Sequence, residues 1–320
     1  MGPDTPIHIA GHRGLVGSAL VRALERAGHR NLLLRTHAEL DLMDPDATGR
    51  FYAETRPEVV FLAAAKVGGI HANATYPADF IRDNLAIQLS VIEAAHRNGV
   101  KRLIFLGSSC IYPRACPQPM SEAHLLTGPL ETSNRPYALA KIAGIEMCSA
   151  YNRQHGTRYL AAMPTNLYGP GDNYDLENSH VLPALIRKMH EAKQRGDDQV
   201  VIWGTGTPRR EFLYSDDLAE ACLFLAGLDD ARFDALLADG EFPLVNVGCG
   251  EDLTIRELAE LAAEVVGFEG ALVQDTGKPD GTPRKLLDVG KIMALGWQPR
   301  VGLREGIGRA YADFLENVGT

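Results

Sequence analysis

One stretch near the start, Ile7-His8-Ile9-Ala10-Gly11-His12-Arg13-Gly14-Leu15-Val16-Gly17, constrains the fold more than any other part of the 320-residue chain. A short apolar strand runs into regularly spaced glycines. A segment with helical periodicity follows over 16–27, with Gly28 placed as its C-cap. Each glycine has a physical role. The first permits a tight turn, the second lets backbone approach a diphosphate, and the third lets the helix pack on the strand. The helix N-terminus then offers N–H donors and a positive dipole end to phosphate.

The rest of the chain supplies a sheet for this unit. Apolar runs at 32–34, 59–64, 103–107 and 159–163 alternate with helix-length segments, the longest at 81–98 and 136–154. Continuous apolar strands alternating with helices predict an α/β fold: a doubly wound, Rossmann-like parallel sheet covered on both faces. After Pro164 the rhythm changes. The segment NLYGPGDNYDLENSHV reads as a long loop, followed by a helix at 182–192 and a strand at Gln199–Trp203. A loop and helix through TPRREFLYSDDLAEACLFLA, a strand at 243–247, a helix at 255–266 and a charged loop, TGKPDGTPRK, complete the reading. We expect a dinucleotide domain over 1–167, to which the chain returns at about 214–248. A smaller substrate domain takes 168–213 and 249–320.

Composition excludes several classes. At 45% hydrophobic residues the chain has ample material for a buried core. Its net charge of −9 argues against a general nucleic-acid or anionic-membrane surface. The first residues carry no basic and apolar leader, and no apolar run reaches the ~18 residues of a membrane span. Cys110, Cys116, Cys148, Cys222 and Cys249 form no C-x-x-C pair, and no H-E-x-x-H occurs. Scattered free thiols suit a reducing cytoplasm, and no metal site is expected.

The candidate chemistry sits at strand ends. An NAD site places an acid about 20 residues beyond the glycines to hold the ribose 2′-hydroxyl. Here the second strand ends Leu34-Arg35-Thr36-His37, and Arg13 sits inside the glycine loop. Two guanidinium groups where an acid is usual point to a 2′-phosphate, hence NADP(H). In PYALAK, Tyr137 and Lys141 are four residues apart and share a helix face. A tyrosine, ordinarily titrating near 10, needs a neighbouring cation to work at neutral pH. Ser108, at an adjacent strand end, can hydrogen-bond a substrate oxygen. The set suits hydride transfer to a carbonyl, with Tyr137 giving the proton. Cys110, directly after the serines of GSSCIYP, is the unexpected member.

This constellation resembles the extended short-chain dehydrogenase/reductases. The segments AGHRGLVGSA, AAAKVGGI, FLGSSCIYP, PYALAKIAGI, MPTNLYGP, NSHVLPAL, WGTGTPRREFL and KPDGTPRKLLD are similar to its GDP-L-fucose synthase branch over almost the whole chain. The resemblance implies NADPH-dependent epimerisation at C3 and C5 of GDP-4-keto-6-deoxy-D-mannose, then reduction at C4. It implies Cys110 as base and His180 as acid. Chemistry supports a thiol independently: the C3 and C5 protons are α to a ketone, and inversion needs acid–base groups on both faces. Cysteine (about 8.5) and histidine (about 6.5) are usable near neutral pH, whereas a serine hydroxyl is not.

The resemblance further implies cofactor contacts at His12, Leu15 and Val16, along His37, Asp41 and Leu42, at Leu106 and Gly107, along Pro164, Thr165, Asn166 and Leu167, and at His180. It implies nucleotide-sugar contacts at Lys188, Trp203, Arg210 and Asp280, and a homodimer formed through two helices per subunit. His37 stands where some members carry a second basic residue, which softens the preference for NADPH. Two other readings stay open: another nucleotide-sugar 4-reductase or epimerase, and a non-catalytic dinucleotide sensor.

Overall fold

The computed structural model describes residues 1–176, 179–278 and 280–317. Short all-apolar strands that bury both faces need helices above and below, and the chain supplies them. Six strands form one parallel sheet, in the order Leu244–Val247, Tyr159–Pro164, Arg102–Leu106, Val59–Leu62, Ile7–Ala10 and Leu32–Leu33. The order reverses between Ile7–Ala10 and Val59–Leu62, and open α/β sheets bind ligands at the carboxyl end of such a switch.

Helices Pro45–Thr55, Pro77–Arg97 and Arg135–His155 pack together on one side, and Leu15–Arg26 packs with Ser215–Gly227 on the other. Arg22 and Arg26 both reach Asp216, at 2.7 and 3.1 Å, and tie that second pair. A second apolar cluster joins helices Val181–Arg195, Ile255–Val266 and Leu303–Asn317 around Met189, Leu258, Ile307 and Phe314. Among the described residues no helix is long and apolar enough to cross a membrane.

Several elements depart from the sequence reading. The expected long loop begins with a strand, Asn166–Tyr168, which pairs in parallel with Phe212–Tyr214. The expected charged loop holds Arg284–Lys285, which pairs with Arg209–Arg210. Such pieces are too short for periodicity to register. Gln199–Trp203 pairs with a strand not anticipated, Ala271–Asp275. Helix Pro45–Thr55 was also not anticipated, although its signals are local: Asp44 accepts from the N–H groups of Asp46 and Ala47, and proline takes the first turn.

Candidate active site

The glycine loop has the form its residues dictate. Gly11 adopts φ +85°, and a Cβ there would lie 2.7 Å from the Ala64 backbone. A Cβ on Gly17 would fall onto the carbonyl oxygen of Gly11, so only glycine lets the helix approach the strand this closely. Gly14 is the N-cap of Leu15–Arg26, with no side-chain cap and no acid in the first turn. Backbone donors there are thus left for an anion, which fits a dinucleotide diphosphate. His12 contributes a buried Nδ1 that has no hydrogen-bond partner.

Arg13 and Arg35 are brought together. Both act on the carboxylate of Glu39, which accepts from the N–H and hydroxyl of Thr36, each at 2.8 Å. Those hydrogen bonds hold Glu39 below the ordinary carboxylate range. Arg35 is exposed and lies 5.2 Å from the centre of the Phe51 ring. His37 is exposed, with Nδ1 3.8 Å from Asp41. Asp41 also accepts from the N–H of Met43. Leu42 packs against the main core.

At the far end of Arg102–Leu106 the chain enters a tight turn, Ser109–Ile111, with Ser108 as its extended first residue. Gly107 leaves no room for a Cβ against Met163. The Ser108 hydroxyl lies near both the phenol of Tyr137 and the thiol of Cys110 and favours the ionised form of each. Cys110 is 6% exposed. Burial raises its pKa, while Lys285, Ser108 and Lys141 oppose that rise. Lys141 is 3% exposed and donates to the carbonyl of Leu106 at 2.7 Å.

The expected effect of Lys141 on Tyr137 does not appear. Burial, reinforced by the neighbouring Cys110, pushes the Tyr137 phenol above its ordinary value. Lys141 is itself pulled down to about 8 by burial. Its ammonium faces the Leu106 carbonyl and lies 5.8 Å from the centre of the Tyr137 ring.

His180 caps helix Val181–Arg195 and is exposed to the cleft, and the surrounding protein lowers its pKa. Its ring makes no hydrogen bond, ion pair or ring contact among the described residues. The structure therefore brings Ser108, Cys110, Tyr137 and Lys141 together, and among the described residues no hydrogen bond, ion pair or ring contact joins His180 to them.

The segment 164–167 is fixed from behind. Thr165 donates through its N–H to Val247 at 3.1 Å and through its hydroxyl to the carbonyl of Glu211 at 3.2 Å. Asn166 donates to the same carbonyl at 2.8 Å. Leu167 packs on the core.

Farther along the cleft, Trp203 is 55% exposed and lies between the ammoniums of Lys188 and Lys278, each 5.1 Å from its ring centre. Asp280 is engaged by Thr205, whose N–H and hydroxyl donate to it at 2.9 and 2.8 Å. Arg210 lies near Asp280 and is pulled down by burial. Lys278 and Lys285 are missing from the sequence reading. In a turn-rich charged segment nothing distinguishes a half-buried lysine from a solvated one. No group of His, Cys, Asp and Glu among the described residues could hold a metal ion.

The chain is similar to known proteins over almost its whole length. Residues 7–233 match the model of the NAD dependent epimerase/dehydratase family. The chain is 59% identical over 312 residues to GDP-L-fucose synthase 1 of Arabidopsis thaliana, covering 98% of this chain and 94% of that one. It is 54% identical over 313 residues to the GDP-L-fucose synthase of Escherichia coli (strain K12), covering 97% of each. Among solved structures it resembles a GDP-mannoheptose C4 reductase from Campylobacter jejuni with NADP bound. That likeness has a TM-score of 0.90 at 40% identity, over 98% of this chain and 99% of that one.

Proposed function

The chain belongs to the NAD dependent epimerase/dehydratase family, and on that premise we propose how its residues divide the conversion of GDP-4-keto-6-deoxy-D-mannose to GDP-L-fucose. That conversion is the activity of its full-length relatives and of this enzyme, an NADP(H)-dependent oxidoreductase that is also an epimerase. The observation that carries the assignment is that buried Cys110, Ser108 and Tyr137 are close enough to act on one another at the end of Arg102–Leu106. It puts a thiol beside the groups that grip the ketone.

Cys110 takes the proton from the carbon next to the C4 ketone, and His180 returns one to the opposite face. Each inversion passes through an enolate, whose oxygen Ser108 and Tyr137 hold as they hold the ketone. Burial keeps Tyr137 protonated near neutral pH, so its proton is present when C4 becomes an alkoxide, a stronger base than phenolate. The bound cofactor supplies hydride to C4. Arg13 and Arg35 hold its 2′-phosphate, and the donors after Gly14 hold its diphosphate. Residues 164–167 line the nicotinamide end. Lys188, Trp203, Arg210 and Asp280 hold the nucleoside diphosphate.

The two apolar clusters and the return of Leu244–Val247 to the sheet support a division into 1–167 with about 214–248, and 168–213 with 249–320, except that Leu287, Val289, Ile292 and Trp297 pack into the first cluster. Exposed Leu85, Leu89 and Leu139 on adjacent helices support a homodimer through Pro77–Arg97 and Arg135–His155. The net charge of −9 supports a partner list without nucleic acid, and five free cysteines support the cytoplasm.

The test is the mass of the product formed from the keto sugar and NADPH in D₂O. Hydride comes from the cofactor, so deuterium on carbon reports proton exchange beside the ketone. We expect two carbon-bound deuterons in wild type and none in Cys110→Ser. A reduced wild-type product without deuterium would make the enzyme a plain C4 reductase and overturn the reading.

A further inference from the structure

The segment carrying Lys285 is fixed more firmly than a charged surface loop requires. Lys285 pairs in parallel register with Arg210. The next residues are stitched to the chain that leaves the Cys110 turn. Met120 N–H donates to Leu286 at 2.8 Å, Asp288 N–H donates to Met120 at 2.8 Å, and Leu286 N–H donates to Gln118 at 2.9 Å. Asn246 closes this arrangement, accepting from Tyr112 at 2.6 Å while donating to Met120 and Asp288 at 2.9 and 3.1 Å. The result is a small cavity whose wall includes Cys110, Glu131 and Lys285.

Lys285 is half-buried and makes no ion pair or side-chain hydrogen bond among the described residues. Its charged neighbours are Cys110, Arg210 and Glu131. Glu131 is already committed: one of its oxygens accepts from the N–H and hydroxyl of Ser133, at 2.9 and 2.5 Å, and from the N–H of Asn134 at 3.3 Å. The ammonium of Lys285 shares this cavity wall with the thiol, and no carboxylate lies within ion-pair distance of it among the described residues. The other groups around Cys110 are Ser108, Tyr137 and Lys141 at the substrate side, and Tyr112, Arg114 and Arg284 in the cavity wall. Of the cations among them, Lys285 acts most strongly on the thiol.

We propose that Lys285 is a positioning residue for the epimerase half of the reaction, an unpaired cation built into the cavity wall to stabilise the thiolate of Cys110. A buried thiolate without a countercharge is a rare species, and one ammonium in a low-dielectric wall raises its population by about ten- to a hundred-fold. The inference rests on the reading of Cys110 as the base. It says nothing of C4 reduction, which needs Tyr137 and the cofactor rather than the thiol.

The experiment compares wild type with Lys285→Met, Lys285→Gln and Lys285→Arg. The Cys110 titration is read from the thiolate ultraviolet band, as the difference from Cys110→Ser in the same background. Deuterium uptake at C3 and C5 is read with NADP⁺ bound. Expected for the neutral variants is a titration midpoint about one pH unit or more higher. Near neutral pH, uptake falls about tenfold or more, and the gap to wild type closes as pH rises past the midpoint. Lys285→Arg keeps both properties, and all variants keep NADPH affinity.

A folded neutral variant whose thiol titrates as in wild type overturns the proposal. So does a loss of uptake that is the same at every pH, or one that appears only in KM, since Lys285 would then hold substrate. If the neutral variants do not fold, Lys285→Arg decides: a titration displaced despite the retained charge refutes the electrostatic role. Uptake surviving in Cys110→Ser would sink the base assignment instead, while the thiol titration would still judge Lys285.

Discussion

The buried ammonium of Lys141 makes a prediction about stability that is separable from activity. Burial carries its pKa from 10.5 to about 8. An unfolded chain holds this proton up to about 10.4 and the folded one releases it near 8, so unfolding takes up a proton between those values. Wild-type stability therefore gains from this group as pH rises through that window, and the charged form is a burden below it. At about 1.4 kcal/mol for each pH unit, the burden near pH 7 is roughly 3 kcal/mol. Lys141→Met removes it but also removes the 2.7 Å bond to the Leu106 carbonyl. That loss costs about 1.5 kcal/mol, since the donor is charged. The variant should be more stable than wild type by roughly 1.5 kcal/mol near pH 7. By about pH 9.5 the wild type recovers about 2 kcal/mol and the difference closes. Urea denaturation of both proteins at the two pH values measures this, with the slope in urea held as a check that the unfolded states match. A variant less stable than wild type near neutral pH, or a difference that ignores pH, would refute the reasoning.

Three further substitutions, two at the cofactor site and one in a neighbouring helix, give checkable outcomes. Gly17→Ala should lower stability by at least about 2 kcal/mol and abolish NADPH binding, because the new methyl group meets the Gly11 carbonyl. Gly49→Ala, in helix Pro45–Thr55 with open space around it, should instead raise stability by about 0.5–1 kcal/mol. Thermal melts with and without NADPH distinguish the two substitutions. Arg35→Glu should raise the KM for NADPH at least about tenfold, or roughly 1.4 kcal/mol, and leave that for NADH within a few-fold. An unchanged ratio would make Arg35 a solvated side chain and refute its hold on a 2′-phosphate.

The Rossmann half was legible because its strands are buried on both faces. Val59–Leu62 and Tyr159–Pro164 are unbroken apolar runs, and only a covered parallel sheet makes such runs stable in water. Ser108, Tyr137 and Lys141 were legible by their places at a strand end and along one helix face. The second half was harder. The pairs Asn166–Tyr168 with Phe212–Tyr214, and Arg209–Arg210 with Arg284–Lys285, join distant short segments. Nothing local in either segment encodes its partner. Helix Leu303–Asn317 could have been found, since buried Ile307, Ala310 and Phe314 recur at helical spacing. Lys285 could not, because its meaning comes from Met120 and Asn246, far away in sequence. The Tyr137 expectation failed for a related reason: sequence shows that Lys141 is near, but not that burial outweighs it.

The titrations along the cleft share one direction. Lys141, Lys188, Lys285 and Arg210 are all pulled below their ordinary values by burial, and Cys110 and Tyr137 are both pushed above theirs. None of the four cations forms an ion pair among the described residues. A protein selected for stability alone would replace such groups with apolar side chains or pair them. On the roles proposed above, the missing negative charge is the substrate's diphosphate and enolate oxygen for Lys141, Lys188 and Arg210, and the thiolate of Cys110 for Lys285. Unpaired cations fixed on helices, as Lys141 and Lys188 are, or on paired strands, as Arg210 and Lys285 are, do not have to reorganise when that charge arrives, so their desolvation is met during folding rather than in the transition state. The two lysine substitutions examine this single idea from opposite ends. Removing Lys141 should release stability near neutral pH, and removing Lys285 should weaken the thiolate proposed as the base of epimerisation.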